Sequence, residues 1–275
     1  IGGNKMPKKY YEYRGVSNAV YAPVLSDTAE GITFGTVKDF TGVSEIGKTT
    51  ESSNEPHYYD NIPAIVVDSV GNDEISINSS GIPFDVLADI NGQYFDETTG
   101  MLVEQEGSPQ YFAFGYITQK TDGTEVLVWR LKGKFSVPGL TSATKNDGTD
   151  ANGQEITYTG ISTTYEFTKN GAPARAVNID TSINEDISAD AFFASVQTPD
   201  TVAAAGTTYT LKFSVGSGTA IDDMEYPAGS LVTLPTPTYT GHTFQGWYLN
   251  SRFTGSPVTK VAMTQDNITV YAKWS

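Results

Sequence analysis

The stretch Glu125-Val-Leu-Val-Trp-Arg-Leu-Lys-Gly-Lys-Phe-Ser-Val137 decides the fold class. On an extended chain, Leu127, Trp129, Leu131, Gly133, Phe135 and Val137 point one way, and Val126, Val128, Arg130, Lys132 and Lys134 the other. This period of two predicts a β-strand with one packed face. Asp122-Gly123 lies just before it, and Asp-Gly between two alternating runs is a strong hairpin signal, so Tyr111–Gln119 is the expected partner strand.

The same texture extends in both directions: short runs of Val, Ile, Thr, Tyr and Phe are punctuated by Gly, Pro, Asn and Asp. A second hairpin is expected through Asn72-Asp73, between Ala64–Val70 and Glu74–Asn78, and a long strand over Glu155–Thr168 after a loop at Thr144–Gln154. Two segments read as helix. Pro83 suits a first turn, Phe84, Leu87 and Ile90 share one face, and Asn91-Gly92 supplies a stop. Farther on, Ser188 can cap a helix docked by Phe192, Phe193 and Val196. The fold class is therefore mainly β (α+β), a sandwich-like body carrying little helix.

The 275 residues hold no cysteine, two histidines, 17 Lys+Arg and 32 Asp+Glu, for a net charge of -15. Without cysteine, disulfide scaffolds, thiolate metal sites and cysteine nucleophiles are excluded. His57 and His242 stand far apart, which disfavours a histidine metal site or acid-base site. The acidic balance argues against coating DNA or an anionic membrane. No apolar run approaches a membrane span, and Ile1–Met6 lacks the apolar core of a signal peptide, so a soluble, not classically secreted chain is expected. Residues 1–205 hold 13 Lys+Arg and 28 Asp+Glu, whereas 206–275 hold four of each. That step in charge places a linker at 201–206, between a body at 1–200 and a domain at 207–275.

Motifs for catalysis are weak. Gly42-Val-Ser-Glu-Ile-Gly-Lys-Thr49 matches a phosphate-loop pattern literally, but the polar stretch and Pro56 after it leave no helix to receive phosphate. Asp147–Glu155 lacks the acids of a calcium loop at the required positions. No nucleophile-elbow serine is present. The expectation is a non-enzyme with no catalytic residues, no cofactor and no metal. The segment 41–61 is unusual, at about twenty polar residues, longer than most loops in compact domains. It reads either as a disordered surface loop or as an inter-subunit arm, in which Glu45, Glu51, Glu55, His57, Tyr58, Tyr59 and Asp60 would meet a neighbour.

At the C-terminus, Phe244-Gln-Gly-Trp247-Tyr248 and Val270-Tyr-Ala-Lys-Trp274 resemble the internalin-type B repeat, or Listeria/Bacteroides repeat, with His242 where that family more often has tyrosine. The resemblance covers nearly all of 207–275 and implies a small β-grasp-like module without known catalysis. Trp247, Tyr248 and Trp274, with Tyr271, would supply an exterior glycan contact. Core packing is the favoured use of these rings, because so small a domain must bury its largest side chains.

In the body, Arg14-Gly-Val-Ser-Asn-Ala-Val-Tyr-Ala22, Tyr58-Tyr-Asp-Asn61, Gly81-Ile-Pro-Phe-Asp-Val-Leu87, Tyr111-Phe-Ala-Phe-Gly-Tyr116, Val128–Pro138 and Phe192-Phe-Ala-Ser-Val196 resemble, in order and spacing, the major tail protein of long-tailed bacteriophages (siphoviruses), over about 8–196. The resemblance implies a tail-tube β-sandwich or barrel with one flanking helix. Its copies would form homo-hexameric rings, stacked into a viral tail tube that conducts genomic DNA without specific binding. It further implies other tail proteins as partners, such as the tape measure and the tail terminator, assembly in the host cytoplasm, and a final location in the virion. The C-terminal domain would then sit outside the tube, touching a host cell-surface glycan if anything, and no membrane. The rival expectation is a Gram-positive cell-surface adhesin built from β modules, against which the missing signal peptide and anchor segment count.

Overall fold

The computed structural model describes residues 10–59, 62–140 and 152–275, apart from the side chains of Tyr59 and of 63–69. The expected loop at Thr144–Gln154 and the calcium-like stretch lie mostly outside the described residues.

The body is mainly β, a sheet curled into a half-barrel. Its elements are β1 (Tyr13–Thr28), β2 (Gly31–Phe34), β3 (Lys38–Asp39), β4 (Val43–Tyr59), β5 (Ile62–Ser79), α1 (Phe84–Asn91), β6 (Tyr94–Asp96), β7 (Met101–Val103), β8 (Phe112–Lys120), β9 (Glu125–Phe135), β10 (Gln154–Gly160), β11 (Ala176–Asp180) and α2 (Ala189–Ala194). The antiparallel order runs β2-β1-β8-β9-β10-β5-β4, with β3 on β1 and β11 on β9. The expected hairpin joins β8 to β9, and its turn glycine, Gly123, has φ +90.

β9 differs from its expected one-sided form. Both faces are packed: Val126 and Val128 enter one core, Leu127, Trp129 and Leu131 the other. Phe135, expected with Trp129, lies in the first core instead. The cause is a bulge: Phe112 pairs Gly133 while Phe114 pairs Arg130, so β9 spends one extra residue there and its pleat changes phase. Arg130, expected on the open face, is buried, and Val137, expected on the packed face, is exposed.

The first core is aromatic: Tyr21, Phe40, Phe112, Phe114, Phe135 and Tyr158 touch edge-on, tilted or stacked. The Tyr158 hydroxyl donates to the Phe112 carbonyl at 2.8 Å. α1 closes this core with Leu87 and Ile90, while Phe84, expected on the same face, is exposed. Pro83 precedes the helix and Gly92, with φ +65, ends it in the left-handed conformation. The second core lies on the opposite face, under α2. Ser188 caps that helix by accepting from the Ala191 amide, and Trp129 Nε1 donates to the Phe192 carbonyl.

Two further expectations are corrected. Asn72-Asp73 is not a turn, because β5 runs through it unbroken and pairs β10 over 73–79. The strand expected over Glu155–Thr168 ends at Gly160, where β10 leaves β9 and β11 takes the place beside the first half of β9.

Asp27 ties the end of β1 to this junction. Its side chain, 4 % exposed, pairs with Lys132 Nζ at 2.6 Å and accepts from the amides of Thr164 and Tyr165. Burial pushes its carboxyl up, but the lysine hydrogen bond, the two amides and the lysine charge outweigh burial and hold it below the usual carboxylate value. A carboxylate depressed by folding stabilises above its unfolded value and loses that contribution as pH falls toward the folded one. Asp27→Asn is therefore expected to lower Tm at pH 7 and to flatten the loss of Tm below about pH 4. Parallel wild-type and variant Tm curves through the acid range would contradict this.

The C-terminal piece has its own core around Leu211, Trp247, Met263 and Val270. It contains β12 (Thr208–Ser214), β13 (Met224–Pro227), β14 (Leu231–Thr233), β15 (Phe244–Tyr248), β16 (Lys260–Ala262) and β17 (Ile268–Trp274). The main sheet runs β13-β12-β17-β15, with its first and last strands, β12 and β17, parallel neighbours. β14 and β16 form a separate ladder, and no helix occurs among these described residues.

Candidate functional site

The segment 41–61, expected as a loop or arm, is mostly strand. β4 pairs β5 from Val43↔Ser79 out to Tyr59↔Ile62, with three register shifts. Only residues 73–79 of β5 also pair β10, so beyond Asp73 the hairpin is a two-stranded ribbon with no third strand among the described residues. Ten residues at about 3.3 Å each carry it roughly 30 Å from the sheet. Glu45, Glu51, Glu55 and His57 are exposed along β4, and Tyr58 is 63 % exposed near the tip. Tyr59 joins them by its backbone pairing alone, and Asp60 lies outside the described residues. Ile62 and Val70 on the returning strand are 64 % and 61 % exposed, so the body covers neither.

The ribbon is fixed at its root by a charge cluster that the sequence reading missed. Asp73, 3 % exposed, faces Arg130 Nη1 at 3.4 Å, Lys48 Nζ at 3.6 Å and Arg175 Nη1 at 3.6 Å, and accepts from Thr50 Oγ1 at 2.7 Å. Arg130 Nη2 also reaches the Tyr116 hydroxyl, and Arg175 Nη2 donates to the Val70 carbonyl at 3.1 Å. One carboxylate thus gathers three cations from β4, β9 and the segment before β11, at the place where the supported sheet becomes a free ribbon. The signal available in sequence was Asp73 itself, an acid in phase with Ile75 and Ile77 on a strand whose inner face is apolar.

The same geometry settles the phosphate-loop match. Gly47 and Lys48 lie within β4, paired to Ser76 and Ile75, and Lys48 points to Asp73. The strand-to-helix turn that would cradle phosphate is absent there. Among the described residues, no group of three or more His, Asp or Glu side chains is placed to hold a metal ion, and no helix is long and apolar enough to cross a membrane.

In the C-terminal piece, the rings expected to offer a glycan platform serve packing. Trp247 is 2 % exposed and its Nε1 donates to the Pro235 carbonyl at 2.7 Å. Tyr248 is buried. Trp274 is half-buried with Nε1 on the Val215 carbonyl, and Tyr271 is half-buried as well. Burial of Trp247 and Tyr248 agrees with core packing, the use favoured for these rings in so small a domain.

The connector over 201–206 is pinned rather than loose. Asn184 Nδ2 donates to the Ala203 carbonyl, Lys169 Nζ to that of Val202, and the Gly206 amide to Asp186 Oδ2 at 2.6 Å. Gly229 of the C-terminal piece lies against Ile187, and its carbonyl accepts from both the amide and the hydroxyl of Ser188, the residue that caps α2. The junction closes around a void of only about 10 Å³ lined by Ile187, Phe192 and Val202 on one side and Gly229 and Thr264 on the other.

Residues 209–273 match the model of the Listeria-Bacteroides repeat domain. Two similar curated proteins, both from Evansella cellulosilytica, are named as a membrane protein and as a Gly-rich membrane protein. They are 36% and 34% identical over 67 residues, 24% of this chain in each case. The match takes up 10% and 8% of those relatives' own length, so the likeness concerns a short stretch of them and not their whole architecture. Residues 209–273 are thus a Listeria-Bacteroides repeat domain.

Proposed function

We propose that the chain is a self-assembling structural protein, the tail-tube subunit of a long-tailed bacteriophage. Six copies form a ring and rings stack into a tube, with the repeat domain displayed outside. The observation that carries this reading is the β4–β5 ribbon. An isolated two-stranded hairpin is marginal in water, and its unpaired edges invite pairing with another chain. A ribbon this long, rooted on a buried charge cluster and bearing exposed Tyr58, Ile62 and Val70, is suited to lie on a neighbouring copy. The concentration of acid before Gly206 suits a conduit for DNA, since like charge keeps a duplex from adhering to the wall. In this reading the tape measure and tail terminator meet the same tube, and assembly takes place in the host cytoplasm before the virion is complete.

Negative-stain electron microscopy of the purified full chain tests it. Rings or tubes with sixfold symmetry are the expected result. A monodisperse monomer at every concentration and salt tried would overturn the proposal. A second reading, a cell-surface adhesin built from β modules, is favoured by one observation, a stretch of 67 residues similar to two proteins named as membrane proteins. It predicts that persistent monomer, together with binding to intact cells.

A further inference from the structure

The charges of the repeat domain sort to two edges of its main sheet, with Lys212 on β12 and Asp266 before β17 outside that division. Asp222, Asp223 and Glu225 lie at or beside β13, at one edge of the four-stranded sheet, and all three are exposed. From Pro227 to Gln265 the chain has no acidic residue at all, and its charges there are Arg252 and Lys260. Lys260, on β16, lines a cleft against Asp39 and Asp190 of the body. Arg252 follows β15, at the opposite edge of the sheet from β13, and Lys273 stands on adjoining β17 with Nζ 5.4 Å from the Tyr248 ring. Among the described residues, no ion pair within the chain engages Asp222, Asp223, Glu225, Arg252 or Lys273.

Apolar exposure follows the same division. Met224, between the acids, is 41 % exposed. On the basic side, Leu249 is 55 % and Phe253 38 % exposed, in a turn knotted by Asn250, whose Oδ1 accepts from the Arg252 and Thr254 amides and whose Nδ2 donates to the Thr254 carbonyl. Phe253 is held there at φ +56, a conformation a bulky residue seldom adopts. Each edge therefore offers an apolar side chain flanked by charge, with opposite signs at the two edges.

We infer that repeat domains of adjacent copies bind head to tail, the acidic β13 edge of one seating on the Arg252–Phe253 turn and Lys273 of the next. Two different patches meeting make a heterologous contact, which closes when the copies are arranged in a ring. Exposed charge pairs contribute little singly and are screened by salt. The contact gains strength from the high local concentration created where the bodies already hold copies side by side, and in that respect it rests on the assembly proposed above. The partner is a second copy of this chain.

The absence of cysteine makes the test clean. Asp223→Cys and Arg252→Cys are placed together in the full chain, which is treated with a short bismaleimide and resolved on a denaturing gel, while the same sample is imaged. A ladder of covalent oligomers is expected. Adding Asp222→Lys and Glu225→Lys should reduce it about tenfold, the effect of roughly 1.4 kcal/mol lost over several exposed charges. Combining those two with Lys273→Glu should restore it, and circular dichroism controls for folding in each variant. Rings without a ladder would overturn the head-to-tail contact and leave the tube reading standing. A ladder without rings would support the contact and overturn the tube. A ladder indifferent to charge reversal would also overturn the contact.

Discussion

Asp73→Ala is expected to destabilise the body by about 3–5 kcal/mol, the usual cost of removing one partner from a buried ion pair and stranding the other. Arg130 is the stranded group. It is 8 % exposed, its Nε already lacks a hydrogen-bond partner, and without Asp73 its guanidinium would keep only the Tyr116 hydroxyl. The loss should be felt unevenly. Arg175 and Lys48 reach Asp73 from two sides of the ribbon root, and Thr50 is bound to it directly, so backbone amides over 43–59 and 62–72 should exchange much faster with deuterium while those of β12 and β17 stay protected. Chemical denaturation measures the energy and hydrogen exchange the location. A variant within about 1 kcal/mol of wild type, with an unchanged exchange pattern, would mean that the cluster does not anchor the ribbon.

Gly229→Val is expected to lever the repeat domain off the body. Gly229 has φ +87, a conformation costing a side chain about 1–2 kcal/mol, and a Cβ there would lie 2.7 Å from Ile187 Cα, which is main chain and cannot turn aside. Overpacking of this kind adds about 1–3 kcal/mol. Gly255 separates the two effects: its φ is +85, but nothing lies within 4 Å of its Cβ position, so Gly255→Val carries the conformational cost alone. Gly229→Val should therefore make the connector at 201–206 sensitive to protease and enlarge the particle in small-angle scattering, whereas Gly255→Val should do neither. Equal behaviour of the two variants would show that Gly229 is not the point of contact. This substitution is a better probe of the junction than truncation at Gly206, which would uncover Ile187 and Phe192.

Where a feature depends on local pattern, the sequence is a fair guide. The β8–β9 turn, the Ser188 cap and the Gly92 stop were all legible, because each is decided within a few residues. What depends on a neighbour was not. Asn72-Asp73 carries turn residues, yet its place between β10 and β4 holds it extended, with Asp73 bonded into a cluster drawn from three parts of the chain. The polar run 43–59 has no apolar alternation to announce a strand, since beyond Thr50 it runs past the supported sheet as one half of a two-stranded ribbon. The repeat domain was recognisable from Phe244–Tyr248 and Val270–Trp274. Core packing of its aromatic rings was legible too, from the size of the domain, whereas the exposure of Leu249, Arg252 and Phe253 required the packed structure.

The bulge in β9 makes the number of residues as significant as their kind. Leu131 and Phe135 serve opposite cores only because one residue more than a regular ladder needs lies between the Phe114 and Phe112 pairings. A chain shortened by one residue there would make the ladder regular and keep its sorting: Leu131 and Phe135 would stand three residues apart, which an unbroken pleat places on opposite faces, so Phe135 would stay in the aromatic cluster. The body should thus tolerate a single-codon deletion between Leu131 and Lys134, where a spare residue lies, better than one between Leu127 and Arg130, where the pairing is one for one.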